Sequence, residues 1–148
     1  MAKTFKGRVV IAGNLSGKAM VSKQAFNTSG SYMENMFAGK TDAAPCSDAS
    51  NKELFGKDLS GAILCIPTTV GSTMGGMSLV GMTKIGVGPQ AMLFSKPIDT
   101  LAAAGVLMSE IWEEKRIITV DMLGDEFLET VKMGDPIAVA EDGTVTVG

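Results

Sequence analysis

The stretch Pro67-Thr-Thr-Val-Gly-Ser-Thr-Met-Gly-Gly-Met77 decides how this chain is organised. The apolar run Ala62-Ile-Leu-Cys-Ile66 precedes it and predicts a buried strand that stops at Pro67. Gly71 then predicts a turn that presents Ser72 and Thr73, and the following apolar residues predict the start of a helix. Such a junction gathers backbone N–H groups and two hydroxyls at one sheet edge, which suits anion binding or proton transfer. An ordinary strand-to-helix connection, with Ser72 or Thr73 as N-cap, is the plain alternative.

The bulk composition predicts one globular domain over residues 1–148. Hydrophobic residues make up 45% of the chain and charged residues 20%, which is typical of a chain with a sizeable core. The formal net charge is −3 and the pI is near 4.9, and no Lys/Arg cluster interrupts this acidic balance. Nucleic acid is therefore not expected as a partner.

The chain carries no sign of a membrane segment or a secretory leader. No apolar run approaches the roughly 18 residues that a spanning helix needs, so we expect a cytoplasmic protein. Cys46 and Cys65 lack CxxC or zinc-type spacing and are expected to be free thiols. Cys65 lies in the apolar strand and is expected in the core. Cys46 is either a small half-buried residue or a gating or ligating thiol on a loop.

The absence of histidine narrows the chemistry most. It excludes Ser-His-Asp and Cys-His catalysis, histidine-bearing zinc sites and phosphohistidine carriers. If the chain performs acid–base chemistry, its base is a Ser, Lys, Cys, Tyr or carboxylate, or another chain supplies it.

The remaining pattern predicts an α/β domain, mostly β with two or three helices. A turn is expected at 13–17, where a superficial P-loop match is one residue short and has Ala in place of Ser/Thr, which rejects it. A helix that ends at Gly105 and a terminal hairpin with an Asp-Gly turn complete the pattern. The strands are predicted at 5–12, 18–22, 62–66, 91–94, 106–108, 117–120, 133–140 and 144–147.

A long polar segment separates the second strand from the central one. Residues 24–55 lose hydrophobic periodicity and carry Gly and Pro punctuation, which predicts an irregular loop. Loops of that length in compact domains are often functional, although a loosely packed surface excursion fits the pattern equally well. Met33, Met36 and Phe37 within it form either local core or an apolar face for a partner.

Four motifs in chain order resemble the small subunit, or swivelling domain, of the aconitase X group. They are Gly17-Lys-Ala-Met-Val-Ser22, the run Leu54-Phe-Gly-Lys-Asp-Leu-Ser-Gly-Ala-Ile-Leu64, Pro67 followed by Gly71-Ser72-Thr73, and Gly134-Asp-Pro-Ile-Ala-Val139 with Gly143-Thr-Val145. The resemblance implies a swivelling β/β/α fold, like the small domain of aconitase. It also implies a separate chain that closes over a larger subunit.

The resemblance further implies a dehydratase reaction in which the two subunits supply different catalytic groups. The iron–sulfur cluster is expected in the large subunit, with no metal ligand in this chain, and Ser72 is the expected catalytic base. Gly71, Thr73, Ser22 and Asn27 are the expected substrate-binding residues.

The resemblance leaves the substrate open between cis-3-hydroxy-L-proline and mevalonate 5-phosphate. Family members often have Gly-Arg-Gly-Ser-Ser where this chain has Thr69-Val-Gly-Ser-Thr73, without the arginine. Because the surroundings of Ser72 offer little to a phosphate, the hydroxy amino acid is favoured. A small subunit like that of isopropylmalate isomerase is a second hypothesis, although its Arg and His are missing. A non-catalytic binding or assembly module is the third.

Overall fold

The computed structural model describes residues 2–39, 41–71 and 73–148 of the chain. Ten strands and five helices occur within these ranges. The strands are β1 (Lys3–Lys6), β2 (Arg8–Ile11), β3 (Leu15–Val21), β4 (Phe26–Asn27), β5 (Ile63–Ile66), β6 (Thr69–Val70), β7 (Ala91–Phe94), β8 (Ile118–Asp121), β9 (Pro136–Val139) and β10 (Thr144–Val147). The helices are α1 (Thr28–Ser31), α2 (Met33–Ala38), α3 (Gly75–Lys84), α4 (Thr100–Trp112) and α5 (Asp125–Thr130).

Eight of the strands form one sheet in the order β1-β10-β9-β3-β5-β7-β8-β2. The four central strands β3, β5, β7 and β8 run parallel, whereas the β1-β10-β9-β3 part is antiparallel. The strand β3 belongs to both parts: Leu15–Lys18 pairs with β9, and Ala19–Val21 pairs with β5. A separate two-stranded ladder joins β4 to β6.

The strands β5 and β7 are buried on both faces, and each face of the sheet has its own core. On β5, Leu64 and Ile66 pack with residues of α3 and α4, whereas Ile63 and Cys65 pack with residues of β9, β10 and α5. Because side chains alternate along a strand, one short apolar run serves both layers. The result is a β/β/α arrangement, with helices on one face of the parallel sheet and an antiparallel layer on the other.

Several local predictions hold and others are wrong. The strand at 91–94 and the terminal hairpin are confirmed, and the central strand and the helix after the turn are confirmed within two residues. The single strand at 5–12 is wrong, because Gly7 breaks it into β1 and β2 at opposite ends of the strand order. A Cβ at Gly7 would stand 2.5 Å from the carbonyl oxygen of Asp121, so the chain passes there only as glycine.

Three further predictions fail because tertiary contacts override local signals. The turn at 13–17 is mostly strand, since residues 15–17 pair with β9. Gly105 does not end a helix, and residues 106–108 are not a strand, because α4 continues through all of them to Trp112. The segment 24–55 is not purely irregular: it contains β4, α1 and α2. The short helices α1 and α2 account for the excess of the five helices over the two or three predicted.

Candidate functional site

The carboxyl ends of the four parallel strands lie at one edge of the sheet. Ligands in open α/β sheets bind outside such ends, where loops rather than strands meet. At this edge β3 leads to Ser22, β5 leads through Pro67 to β6 and Gly71, and β7 leads to Ser95. The sequence-predicted turn therefore lies where the fold offers a site.

Ser72, the expected catalytic base, lies outside the described residues, but both of its neighbours are described. Gly71 and Thr73 are exposed. Gly71 has φ +117°, a backbone conformation that side-chain-bearing residues rarely adopt. A Cβ at Gly71 would also stand 2.6 Å from Oδ1 of Asn27. Both the backbone and the space at this position therefore require glycine.

Asn27 supports the turn from the neighbouring chain segment. It lies on β4, which pairs with β6 so that Asn27 is opposite Val70. Its side-chain Oδ1 accepts a hydrogen bond from the N–H of Gly30 (2.9 Å), which makes it the N-cap of α1. The structure thus brings together Asn27 and Gly71, two of the expected substrate-binding residues.

Ser22 lies at the same edge but is buried. Its hydroxyl donates to the carbonyl oxygen of Gln24 (2.7 Å) and accepts from Nδ2 of Asn51 (3.0 Å). Asn51 is itself fully buried, and its Oδ1 accepts from the N–H of Leu54 (3.2 Å). In this arrangement Ser22 anchors the long polar segment to the end of β3. Sequence reasoning missed Asn51, because nothing in its neighbours marks it as buried.

The helix α3 begins directly after the turn. Its N-cap residue is Met74, whose own side chain makes no capping hydrogen bond. The first N–H groups of a helix lack intrahelical partners and carry partial positive charge. A negative charge at Ser72 would therefore stand near the positive end of a ten-residue helix.

Asp99 is a further residue at this edge, missed as a site residue. It is the N-cap of α4, where its Oδ2 accepts from the N–H of Ala102 (3.1 Å). Its Oδ1 accepts from Oγ1 (2.6 Å) and from the backbone N–H (3.2 Å) of Thr69. An N-cap signal is present in the sequence, since Asp precedes Thr-Leu-Ala-Ala-Ala, but nothing local indicates the contact with Thr69.

The two cysteines lie in different cores. Cys46 is buried among the residues beneath the helices, and Cys65 is buried in the core between the sheets. Burial raises the pKa of the Cys65 thiol, which keeps it protonated. Cys46 is thus a small buried core residue, not a thiol exposed on a loop.

The metal-ligating side chains of this chain do not fit an iron–sulfur cluster. Cluster ligation needs convergent thiolates, and the two thiols lie in separate buried layers. In the described ranges, no three side chains among Cys, Asp and Glu come close enough to hold a metal ion. None of the helices described is long and apolar enough to cross a membrane.

The fold and the edge geometry define a β/β/α domain whose loops meet at one sheet edge, the fold that the family resemblance implies. A profile of the aconitase X swivel domain matches residues 4–147. The chain therefore belongs to the aconitase X swivel domain family.

Curated relatives cover the chain nearly end to end. The phosphomevalonate dehydratase small subunit of Archaeoglobus fulgidus is 31% identical over 142 residues, which cover 95% of this chain and 96% of that protein. The corresponding subunit of Methanocella arvoryzae is 32% identical over 143 residues, or 97% and 96% of the two chains. The predicted enzyme class, a dehydratase subunit, is confirmed at that level.

Solved structures match the fold. Aconitase X of Thermococcus kodakaraensis in its holo form superposes with a TM-score of 0.80 at 24% identity, covering 99% of this chain and 98% of that chain. A UPF0107 protein solved by NMR superposes with a TM-score of 0.73 at 30% identity, covering 97% of both chains. The predicted fold class is confirmed.

Proposed function

We propose that this chain is the small subunit of an aconitase X-type dehydratase that acts on mevalonate 5-phosphate. One observation carries the choice of substrate: relatives that align over 95% or more of the chain are named phosphomevalonate dehydratase small subunits. The sequence around Ser72 favours cis-3-hydroxy-L-proline, whereas the names of the relatives favour mevalonate 5-phosphate. The partner in this proposal is a large subunit that carries the iron–sulfur cluster.

Ser72 is the proposed base of the reaction. Its alkoxide takes the proton from the carbon next to the carboxylate, the hydroxyl on the adjacent carbon leaves as hydroxide, and a C=C bond forms. The proton taken up by Ser72 then joins the hydroxide to form water, which restores the alkoxide. The cluster of the large subunit supplies Lewis-acid chemistry for the leaving hydroxyl. A serine hydroxyl is a poor base unless its alkoxide is stabilised, and the position of Ser72 in the sequence, just before the ten-residue helix α3 with its positive N-terminal end, supports that role.

The small number of available positive charges in this chain favours a second candidate substrate without a phosphate group, cis-3-hydroxy-L-proline. Both arginines are engaged: Arg8 binds Asp121 and Arg116 binds Glu110, each at 2.6 Å. A phosphate contact from this chain would therefore rest on a lysine. Lys96 is exposed and follows β7, with its backbone N–H 3.3 Å from the carbonyl oxygen of Pro67. If the large subunit supplies no phosphate clamp, cis-3-hydroxy-L-proline is the better candidate.

The proposed large subunit covers the face that carries the turn. Met74 and Met77 follow Ser72 on α3 and are 52% and 70% exposed, and Phe37 of α2 is 83% exposed. Met74 and Met77 line a groove between α2 and α3 that is mostly apolar. A partner that places its cluster against Ser72 has to cover this adjoining apolar surface, and methionine suits an adaptable contact.

The test is to reconstitute the enzyme with a candidate aconitase X large subunit from the same organism under anaerobic conditions. Turnover of mevalonate 5-phosphate and of cis-3-hydroxy-L-proline would be measured for the wild type, Ser72→Ala and the control Ser60→Ala. We expect dehydration of mevalonate 5-phosphate, loss of at least about 100-fold in kcat for Ser72→Ala with the complex intact, and full activity for Ser60→Ala.

Each contrary outcome removes a different part of the proposal. Turnover of the hydroxyproline alone would overturn the substrate. A Ser72→Ala complex that turns over normally would remove Ser72 as base and leave a structural lid. The absence of any complex would overturn the partner.

A further inference from the structure

Asp99 joins the start of α4 to Thr69, which lies three residues before Ser72 in the proposed catalytic turn, residues 67–77. One carboxylate oxygen caps α4 through the N–H of Ala102 (3.1 Å), and the other accepts both the hydroxyl (2.6 Å) and the N–H (3.2 Å) of Thr69. Hydrogen bonds to a carboxylate are shorter and stronger than those between neutral groups. Thr69 is therefore tied to the start of a 13-residue helix.

The backbone around Asp99 is itself held by a buried charge. The carboxylate of Asp121 is fully buried, binds the guanidinium of Arg8 and accepts the N–H of Ile98 at 2.7 Å. Ile98 directly precedes Asp99. The Asp99 side chain consequently projects from a segment with a fixed backbone, which is what a positioning group requires.

Backbone contacts also support the catalytic turn: the N–H of Phe26 donates to the carbonyl oxygen of Thr68 (2.9 Å), and the N–H of Lys96 donates to that of Pro67 (3.3 Å). The ladder of β4 with β6 has only two residue pairs, Phe26 with Thr69 and Asn27 with Val70. Val70 is half exposed, and only Val70 and Gly71 separate Thr69 from Ser72. Because so few residues intervene, we expect a shift of Thr69 to change the path of the turn at Val70 and Gly71.

We propose that Asp99 is a positioning residue for the catalytic turn, acting through Thr69 to hold Ser72 in place. The proposal rests on the proposed function of Ser72 as base. Proton abstraction depends on distance and alignment, and a displacement near 1 Å can cost on the order of 100-fold in rate. We therefore expect loss of the Asp99–Thr69 contact to lower kcat rather than substrate binding.

Three variants separate positioning from helix capping. Thr69→Val removes the hydroxyl while retaining a β-branched side chain, and the cap of α4 remains. Thr69→Ser retains the hydroxyl and serves as the conservative rescue. Asp99→Asn retains a good N-cap residue but has a single side-chain oxygen, which cannot serve both Thr69 and Ala102. Thr146→Val, on β10 in the antiparallel layer, is the matched control.

The experiment measures kcat and KM of the reconstituted complex. We expect Thr69→Val and Asp99→Asn to lower kcat roughly 10- to 100-fold, with KM within about 3-fold of the wild type. Thr69→Ser should recover most of the activity, and Thr146→Val should keep all of it. Thermal unfolding and complex formation are measured in parallel, since a purely structural role would lower these first.

A second measurement does not depend on turnover. Amide hydrogen exchange of the full-length small subunit reports the mobility of Val70, Gly71 and Thr73. Thr69→Val should speed their exchange by about 10-fold, without faster exchange in β5 or α4. Unchanged exchange and unchanged kcat in Thr69→Val and Asp99→Asn would overturn the inference.

The two proposals fail in different ways. If Ser72→Ala abolishes turnover while Thr69→Val and Asp99→Asn keep it, Ser72 is the base and Asp99 is only a helix cap. If Ser72→Ala keeps turnover, the base assignment fails. Faster exchange at Val70, Gly71 and Thr73 would then still show that Asp99 orders this turn, whereas unchanged exchange would overturn the positioning role as well.

Discussion

At the scale of single residues, the contact between Gly71 and Asn27 lies at the entry to the proposed catalytic turn. Gly71 combines a positive φ of +117° with a neighbouring amide oxygen that leaves no room for a Cβ. Asn27 is simultaneously held by its hydrogen bond from Gly30 (2.9 Å), so it cannot move aside freely. The position therefore carries two separate restrictions, and a substitution there meets both.

Gly71→Ala tests these restrictions against a matched glycine. Gly56 also has a positive φ (+81°), but nothing lies within 4 Å of its ideal Cβ position. We expect Gly56→Ala to cost about 1–3 kcal/mol of stability through backbone strain alone and to keep kcat. Gly71→Ala should cost more and also lower kcat by about 10-fold or more, because the turn has to shift.

Denaturant unfolding and turnover of the complex measure the two effects. Gly71→Ala should cost less stability in an Asn27→Ala background than in the wild type, since the clashing oxygen is then absent. Equal stability and equal activity for Gly71→Ala and Gly56→Ala would contradict the predicted clash.

At the scale of elements, the packing of α3 on α4 explains why Gly105 lies inside a helix. A Cβ at Gly105 would stand 2.9 Å from the carbonyl oxygen of Gly76, and one at Gly76 would stand 2.7 Å from that of Leu101. The two helices thus approach closely at a pair of glycines. This close approach orients α3, whose first turn follows Ser72, against α4, whose first turn is capped by Asp99.

Two glycine substitutions in these helices should have opposite signs. Gly81 lies in α3 with open space around its ideal Cβ position, so Gly81→Ala should stabilise the chain by about 0.5–1 kcal/mol through helix propensity. Gly105→Ala should destabilise it by about 1–3 kcal/mol, because the added methyl overpacks the helix contact. Urea unfolding of the small subunit measures both, and a stabilising Gly105→Ala would contradict the close approach.

At the scale of the whole molecule, the sheet topology separates the functional edge from the antiparallel layer. The parallel strands end beneath the turn and α3, whereas β1, β9 and β10 cover the opposite face through their own core. Exposed apolar residues next to the turn therefore belong to the helical face. That face is the one the proposed large subunit covers.

Met77→Glu tests this assignment. The side chain of Met77 is 70% exposed, so a glutamate there leaves the fold intact but buries a charge when the proposed partner binds. We expect the affinity for the large subunit to fall by at least about 10-fold. Met133→Glu, on the connection between α5 and β9, is the control and should bind normally. Equal affinity for both variants would remove the α3 face from the interface.

Much of the fold was predictable where the signal is local. The apolar runs at 62–66 and 91–94, and the Asp-Gly turn of the hairpin, correspond to β5, β7 and the β9–β10 pair. Predictions based on glycine were wrong where the glycine allows a close contact with a residue distant in sequence. Gly7 and Gly105 are glycines because of Asp121 and Gly76, and no local pattern distinguishes these from turn glycines.

The candidate site likewise has residues that local sequence signals predicted and residues that only distant contacts reveal. The motifs around Gly71 and Thr73 were sufficient to name the turn, and Asn27 was named with it. Asp99 and Asn51 were missed, because their side chains act on residues 30 and 29 positions away in sequence. Hydrogen-bond partners at that separation depend on how the elements pack, which no single segment encodes.

The sequence by itself determined the family, the β/β/α class and the position of the turn. It also determined the acidic net charge and the absence of histidine catalysis. All of these depend on residue types and their order. Only the tertiary structure decided that β3 serves two sheet layers, that Gly71 rests against Asn27, and that Asp99 holds Thr69. These are contacts between side chains and backbone groups far apart in the chain. They form only because the hydrophobic alternation of the parallel strands buries two separate cores at once and draws the loops to one edge.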